Sequence, residues 1–325
     1  MLKQTAIKHH LRAWRRLGRQ ISAILCGGLF LSLFGPPAQA CTLFVAVGRS
    51  VQGGGAIIAK NRDRAPLASS LKVFAPPGGY RYLGLVTRDS PQAPAVAGIN
   101  EKGLVVVDAS PSTLAPREED PCAVPLTQAL LTRCASVAEV LAHQELLRAS
   151  YPVFEMVADQ HKVAWIEVAP GGRVSVQARA QGTLCHTNHY LSAELSWANQ
   201  VAAPSSLARF RRIRSLLDRQ GKPFTFADFL AFSQDRSAGP DNSINRVGST
   251  PSQTRTLATF VVHLAAGPPH VFIRMSNPGE PDKIVNFYLE PPLWAKGLDK
   301  KISEVLTGPG KYQDNLPWQE EGPSP

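Results

Sequence analysis

The chain has 325 residues, 44% hydrophobic and 18% charged, which is enough apolar material for one large domain or two small ones and excludes a disordered chain. Its 35 Lys+Arg against 25 Asp+Glu give a formal charge of +10, but six of the basic residues lie in the first 40 positions, where no acid occurs. The remainder carries 29 against 25, a balance with little electrostatic reason to bind nucleic acid.

Residues 1–40 read as a secretory signal peptide. Lys3, Lys8, Arg12, Arg15, Arg16 and Arg19 form a basic segment, Ile21 to Phe34 an uncharged apolar stretch, and Ala38-Gln39-Ala40 a triplet that suits signal peptidase. The apolar stretch has 14 residues, short of the roughly 20 that a spanning helix needs, so cleavage is expected and not an uncut anchor. Arg15-Arg16 fits a twin-arginine signal poorly. No later segment is apolar enough to span a bilayer, so the expected product is a soluble periplasmic or secreted protein whose first residue is Cys41. Cys26 leaves with the signal. Cys41, Cys122, Cys134 and Cys185 remain, too few for a disulfide framework and spaced for no zinc site. One bridge among the last three stays open, with Cys122 and Cys134 the nearest pair in sequence.

The β-rich runs Thr42 to Arg49 and Ala56 to Lys60, separated by Gly53-Gly54-Gly55, predict a hairpin that holds Cys41 at a strand end. Strands are expected next at Leu83 to Thr87, Ala95 to Ile99 and Leu104 to Asp108. Helical periodicity runs through Pro121 to Ala149, with Leu126, Leu130, Leu131, Val137, Val140 and Leu141 as the buried face. Phe154 to Asp159, Val163 to Val168 and Val174 to Ala178 read as a meander. Ser206 to Leu217 and Thr225 to Ser233 read as helices, the second with Thr225 as N-cap and Asp228 in the capping-box position. Thr256 to Leu264, His270 to Met275 and Lys283 to Leu289 read as strands, and Gly308 to Pro325 as a poorly ordered tail. Hairpin connections in place of crossovers argue for an α+β fold with antiparallel sheets covered by helices. The expected globular domain is 41–307.

An N-terminal cysteine puts a thiol and a free α-amine on one residue. With an amine pKa near 7.7–8.0, the amine can take the thiol proton and return it to a leaving group, so nucleophile and base are one residue. The competing reading is a lipoprotein anchored at Cys41. Lipidation wants a large aliphatic residue three positions before the cysteine and a small residue next; Ala38 and Gln39 occupy those positions, a poor match.

Cys41-Thr42-Leu43-Phe44, then Ala59-Lys60-Asn61-Arg62-Asp63, resembles the opening of the cysteine-type N-terminal nucleophile (Ntn) hydrolases. More closely it is similar to the branch named for acyl-coenzyme A:6-aminopenicillanic acid acyltransferase, with choloylglycine hydrolase and penicillin V acylase as relatives. The likeness continues through Gly98-Ile99-Asn100-Glu101-Lys102-Gly103-Leu104, His186-Thr187-Asn188-His189-Tyr190, Ser205-Ser206-Leu207-Ala208-Arg209-Phe210 and Thr256-Leu257-Ala258-Thr259-Phe260-Val261. These blocks follow the family's order over about 220 residues.

The resemblance implies a four-layer αββα sandwich and an amidase or acylase acting on a small-molecule linear amide through Cys41, with no metal or organic cofactor. It places Asp63 beside the nucleophile to orient the α-ammonium, Asn188 as an oxyanion donor, and Arg209 as a buried arginine nearby. Lys60 stands where the choloylglycine branch has an arginine; it keeps the charge that lowers a thiol pKa but loses the bidentate fork, and Arg62 is expected to share that task. Ser110 stands where choloylglycine hydrolases have a second asparagine, so either a backbone N–H near Ser110 is the second oxyanion donor or the pocket differs. His186 and His189 are expected to be structural, since a terminal cysteine needs no external base. Acyl transfer, and penicillin V or bile-salt acylase activity, remain alternatives within the same family.

Overall fold

The computed structural model describes residues 40–90, 93–114, 124–218, 221–295 and 297–307. The expected signal segment up to residue 39, the tail from residue 308 and Cys122 lie outside the described residues. Strands β1 (Ala40–Val47) and β2 (Ala56–Arg64) form the predicted hairpin, followed by β3 (Ser69–Phe74), β4 (Tyr82–Thr87), β5 (Ala97–Asn100) and β6 (Val105–Ala109). Helices α1 (Leu126–Arg133), α2 (Val137–Ala142) and α3 (Gln144–Arg148) precede β7 (Val153–Ala158), β8 (Val163–Ala169), β9 (Arg173–Arg179) and β10 (Gly182–His186). The chain continues through α4 (Pro204–Leu217), α5 (Phe226–Ser233), β11 (Arg255–Leu264), β12 (His270–Met275), β13 (Lys283–Tyr288), α6 (Pro291–Ala295) and α7 (Leu298–Thr307).

Two antiparallel sheets result, one in the order β10-β1-β2-β11-β12-β13 and the other running β3 to β9 in sequence order. Side-chain alternation assigns the layers. In β1, Leu43, Val45 and Val47 face the core shared by the two sheets, where they meet Val105, Val107, Phe154, Met156 and Phe260. Phe44 and Ala46 point the other way, onto Ile213 of α4 and Phe229 and Leu230 of α5. The outer face of the second sheet is covered by Leu126, Leu130 and Leu131 of α1 with Val137 and Val140 of α2. This is the αββα sandwich. Each large aliphatic or aromatic side chain so buried contributes about 1.5–3 kcal/mol.

Local chemistry explains several joints. Gly55 closes the β1–β2 hairpin at φ +83, and a Cβ there would lie 2.0 Å from the Leu264 carbonyl oxygen, so only glycine fits. The amide of Asn100 donates to the carbonyls of Leu131 and Cys134 at 2.9 and 2.8 Å, tying the end of α1 to the β5–β6 turn. Thr225 and Asp228 form the expected capping box at α5.

The structure corrects the sequence reading in four places. Strands β3 and β10 were not anticipated: β10 is short and opens on Gly182, and β3 is an edge strand of mixed composition. The single helical stretch is three helices, interrupted at Cys134 and His143, with Ser136 capping α2 by accepting from Glu139 N. Leu298–Thr307 is a helix. Cys134 and Cys185 carry free thiols, so neither makes the bridge left open above. Among the described residues no helix is long and apolar enough to cross a membrane, and no cluster of three His, Cys, Asp or Glu side chains could hold a metal ion.

Candidate active site

Cys41 lies near the start of β1, between β2 and the chain leaving β10. Its cross-strand partner in β2 is Arg62. The β1–β10 ladder ends at the pair Leu43–His186, and two residues further along each strand are Cys41 and Asn188. Register alone therefore places Arg62 on one side of the cysteine and Asn188 on the other. Cys41 is 6% exposed and packs with the residues facing the second sheet, so its thiol and its neighbour Thr42 project to opposite faces.

On the helix-covered face a polar network surrounds the backbone of Cys41. The Cys41 N–H donates to Asn188 Oδ1 at 2.9 Å. The same oxygen accepts from Arg209 Nη2 at 2.9 Å, while Asn188 Nδ2 donates to the Ser110 carbonyl at 2.8 Å. Two donors on one atom and an acceptor on the other fix the orientation of the amide. Its backbone is held as well: Asn188 N donates to Ser206 Oγ at 2.8 Å, and Ser112 N donates to the Asn188 carbonyl at 2.9 Å. Ser206, Arg209, Ile213 and Leu217 are the buried stripe of α4, spaced three and four apart as one helix face requires.

Arg209 Nη1 donates to the Cys41 carbonyl and, at 3.0 Å, to Thr42 Oγ1, and it lies 3.9 Å from Asp63 Oδ2. Asp63 Oδ1 accepts from Thr256 Oγ1 at 2.7 Å, whereas buried Oδ2 has no hydrogen-bond partner among the described residues. Burial pushes the Asp63 carboxyl up to about 6 against the pull of Arg209 and Arg246, and burial lowers Arg209 to about 10.

On the face toward the second sheet the arrangement differs. Lys60 Nζ donates to the Val96 carbonyl and to Asp108 Oδ1, both at 2.6 Å. Arg62 donates to Ser69 Oγ at 2.5 Å and to Thr87 Oγ1 at 2.7 Å. Asp108 pairs across β6–β7 with Glu155, whose Oε1 accepts from Thr127 Oγ1 at 2.8 Å. Burial first, then the charge of Asp108, raises the Glu155 carboxyl well above its ordinary value. The Cys41 thiol is likewise raised, chiefly by burial; Lys60 works against that, Asp108 and Asp63 add to it, and the nearby Asp63 backbone N–H opposes it.

The sequence profile of the acyl-coenzyme A:6-aminopenicillanic acid acyl-transferase family matches residues 50–271. The chain belongs to that family. Solved structures similar to it include penicillin V acylase from Agrobacterium tumefaciens, 14% identical over 76% of this chain and 86% of that one, with a TM-score of 0.48. A mutant conjugated bile acid hydrolase from Clostridium perfringens is 16% identical over 79% and 94%, TM-score 0.46. An N-acylethanolamine-hydrolyzing acid amidase ortholog from Caenorhabditis elegans is 14% identical over 69% and 92%, TM-score 0.46. No curated protein matches the chain by sequence.

For this acyl-transferase family member, the fold brings Cys41, Asp63, Asn188 and Arg209 into one connected network. Ser110 joins through its carbonyl oxygen, which accepts from Asn188 Nδ2. Lys60 and Arg62 lie on the opposite face from Asp63, as alternation along β2 dictates. His186 lies between Glu167 and the Thr187 carbonyl, and His189 bonds to Ser206 and Thr187, with burial lowering His189 to about 4. The sequence reading missed Thr256, Asp108 and Glu167. Thr256 opens a block already singled out. Asp108 is the lone charge in the run Val-Val-Val-Asp-Ala. Glu167 accepts from the backbone N–H groups of Leu191 and Ser192 at 2.5 and 3.0 Å, anchoring the loop that carries Asn188; an acid in a strand otherwise buried throughout is the signal that points to it.

Proposed function

We propose that the protein is an exported hydrolase of linear, non-peptide amides, with the Cys41 thiol as nucleophile and the Cys41 α-amine as base once the Ala40–Cys41 bond is cut. One observation carries this reading: the nitrogen that would become the α-amine already rests on Asn188 Oδ1, inside a buried network that includes Arg209 and Asp63. Cutting the bond turns that nitrogen into a titratable amine beside Asp63, whose Oδ2 has no hydrogen-bond partner among the described residues.

The amine takes the thiol proton and Sγ forms a bond to the amide carbonyl carbon. The oxyanion is stabilised by hydrogen-bond donors, and the second hydrogen of Asn188 Nδ2 is one of them. The C–N bond then breaks as the α-ammonium returns the proton to the leaving amine. Water adds to the thioester, the S–C bond breaks, and the carboxylic acid and the free thiol are released. Transfer to a second amine in place of water would make the same site an N-acyltransferase, in keeping with the family's description. Outside the cytoplasm acyl-coenzyme A is scarce, which favours water. The basic segment, apolar stretch and Ala38-Gln39-Ala40 triplet support export and a cut before Cys41.

Full-length chain expressed in an exporting bacterium, followed by intact-mass measurement of the N-terminus and a screen of amides for released amine, tests this reading. The panel spans N-acyl amino acids, β-lactam side-chain amides, bile-salt conjugates and short amides. A chain starting at unmodified Cys41 that releases amine is expected. Diacylglycerol on the sulfur or an acyl group on the α-amine would identify a lipoprotein instead.

A further inference from the structure

The charges around Cys41 do not balance on the side where the acyl group must lie. The thiol projects between the sheets, so the acyl part of a thioester on Sγ starts there, whereas the leaving amine is protonated from the backbone nitrogen on the Asn188 side. On the thiol side two cations, Lys60 and Arg62, are buried. Lys60 is matched by Asp108 at 2.6 Å, with side-chain exposures of 1% and 15%. Glu155, next to Asp108 across the ladder, turns to Thr127 on the helix-covered face of the second sheet and away from the thiol. Arg62 is left over. It is 1% exposed, directly opposite Cys41 in register, and among the described residues no carboxylate pairs with it. Its bonded partners are two neutral hydroxyls, Ser69 on the edge strand β3 and Thr87 on its neighbour β4. The contrast with other arginines is direct: Arg88 pairs with Glu280, Arg212 with Asp235 and Arg81 with Glu101, all closer to solvent. Burial lowers Arg62 to about 10, and the Cys41 sulfur and Asp108 oppose this only from beyond ion-pair distance; a buried guanidinium without an ion-pair partner is costly, and its planar fork is suited to a carboxylate.

We infer that Arg62 is the anion-binding end of the acyl subsite, and that the preferred substrates are amides of short dicarboxylic acids, N-acyl compounds whose acyl arm ends in a carboxylate. This rests on the amidase reading above. Binding the free carboxylate supplies the missing counter-charge at Arg62, while the amide at the other end of the arm meets Sγ. Ser69 and Thr87 aim the guanidinium. Lys60, already matched by Asp108, contributes no free charge to the subsite.

The processed protein recovered from full-length expression is assayed with N-glutaryl and N-pentanoyl anilides, and with the methyl ester of the glutaryl compound as a neutral arm of similar size. A wild-type preference for glutaryl of about 10- to 100-fold in kcat/KM is expected, with Arg62→Gln collapsing the ratio toward one and Arg62→Lys keeping part of it. Inhibition by glutarate but not pentanoate reads the same subsite without any variant, which covers a failure of Arg62→Gln to fold. Equal rates for the two anilides overturn the inference. So does an unchanged ratio in Arg62→Gln, which would mean that the arginine serves the thiol alone. A preference that follows a carboxylate on the amine half, as in N-pentanoylglycine over its amide, also overturns it. Release of amine from none of the panel would instead bring down the amidase reading itself.

Discussion

On the helix-covered face of the first sheet, Asp63, Arg209, Asn188 and Thr42 are joined by side-chain and backbone bonds into one network around the Cys41 nitrogen and carbonyl. On the face turned to the second sheet, the groups around the thiol are split. Lys60 is drawn to Asp108, and Arg62 reaches two hydroxyls. The first arrangement positions a nitrogen and leaves one carboxylate oxygen without a hydrogen bond among the described residues; the second surrounds a sulfur and leaves one cation without an ion pair among them. Because neighbouring residues alternate between faces, Lys60, Arg62 and Asp63 serve both tasks within four positions of one strand. In the proposed mechanism the half of the site that handles the proton is thus separated from the half that meets the acyl group.

Substitutions on each face separate the two roles. The largest effect is expected at the point they share. Cys41→Ala should abolish amine release, a loss of at least about 10⁴-fold, in a protein whose circular dichroism spectrum is unchanged; most of the activity surviving in Cys41→Ser would remove the thiol from the mechanism. Asn188→Ala takes away the proposed oxyanion donor and the acceptor for the Cys41 nitrogen, and kcat should fall about 10²- to 10³-fold.

Arg209→Met leaves Asp63 buried without its closest cation, and urea unfolding should reveal a loss of about 3–5 kcal/mol. Asp63→Asn bears on the same network through pH. The Asp63 carboxyl is raised to about 6 from an ordinary value near 4. A raised acid stabilises the fold most below its unfolded pKa, and that contribution is lost as pH rises through the folded one. In the uncut chain, wild type should therefore lose stability relative to Asp63→Asn between about pH 4 and pH 6, the reverse of ordinary acid denaturation. On the inner face the smallest effect is expected. Asp108→Asn frees the charge of Lys60 to act on the sulfur, and alkylation of Cys41 by iodoacetamide should reach its half-maximal rate at lower pH than in wild type. A shift to higher pH would show that Asp108 does not raise the thiol.

Much of this was legible in the sequence because it depends on local signals. The glycine hairpin, the period-two strands and the Thr225 cap each carry their own chemistry, and the ordered blocks fix which residues converge. The two faces were not legible as such. Asp63 and Lys60 read as members of one cluster, although three positions along a strand puts them on opposite sides of the sheet. The partners Asp108 and Thr256 come from distant strands, and only the register of β2 with β11 and the close approach of the second sheet bring them in. The helical run from 121 to 149 reads as continuous because its apolar spacing persists across the breaks at Cys134 and His143; the extended backbone at Cys134 and the Ser136 cap, and not the periodicity, set the first of them.

The central claim is that Cys41 acts with its own free amine, and the decisive measurement compares one protein in two states of its N-terminus. Matured chain beginning at Cys41 and chain in which the Ala40–Cys41 bond is intact, each verified by intact mass, are assayed for amine release on the same amide across pH. The cut form should be active with an acid limb set by the α-amine, and the intact form inactive at every pH. Equal activity in the intact form would contradict the account, because its Cys41 nitrogen is an amide and cannot carry the proton.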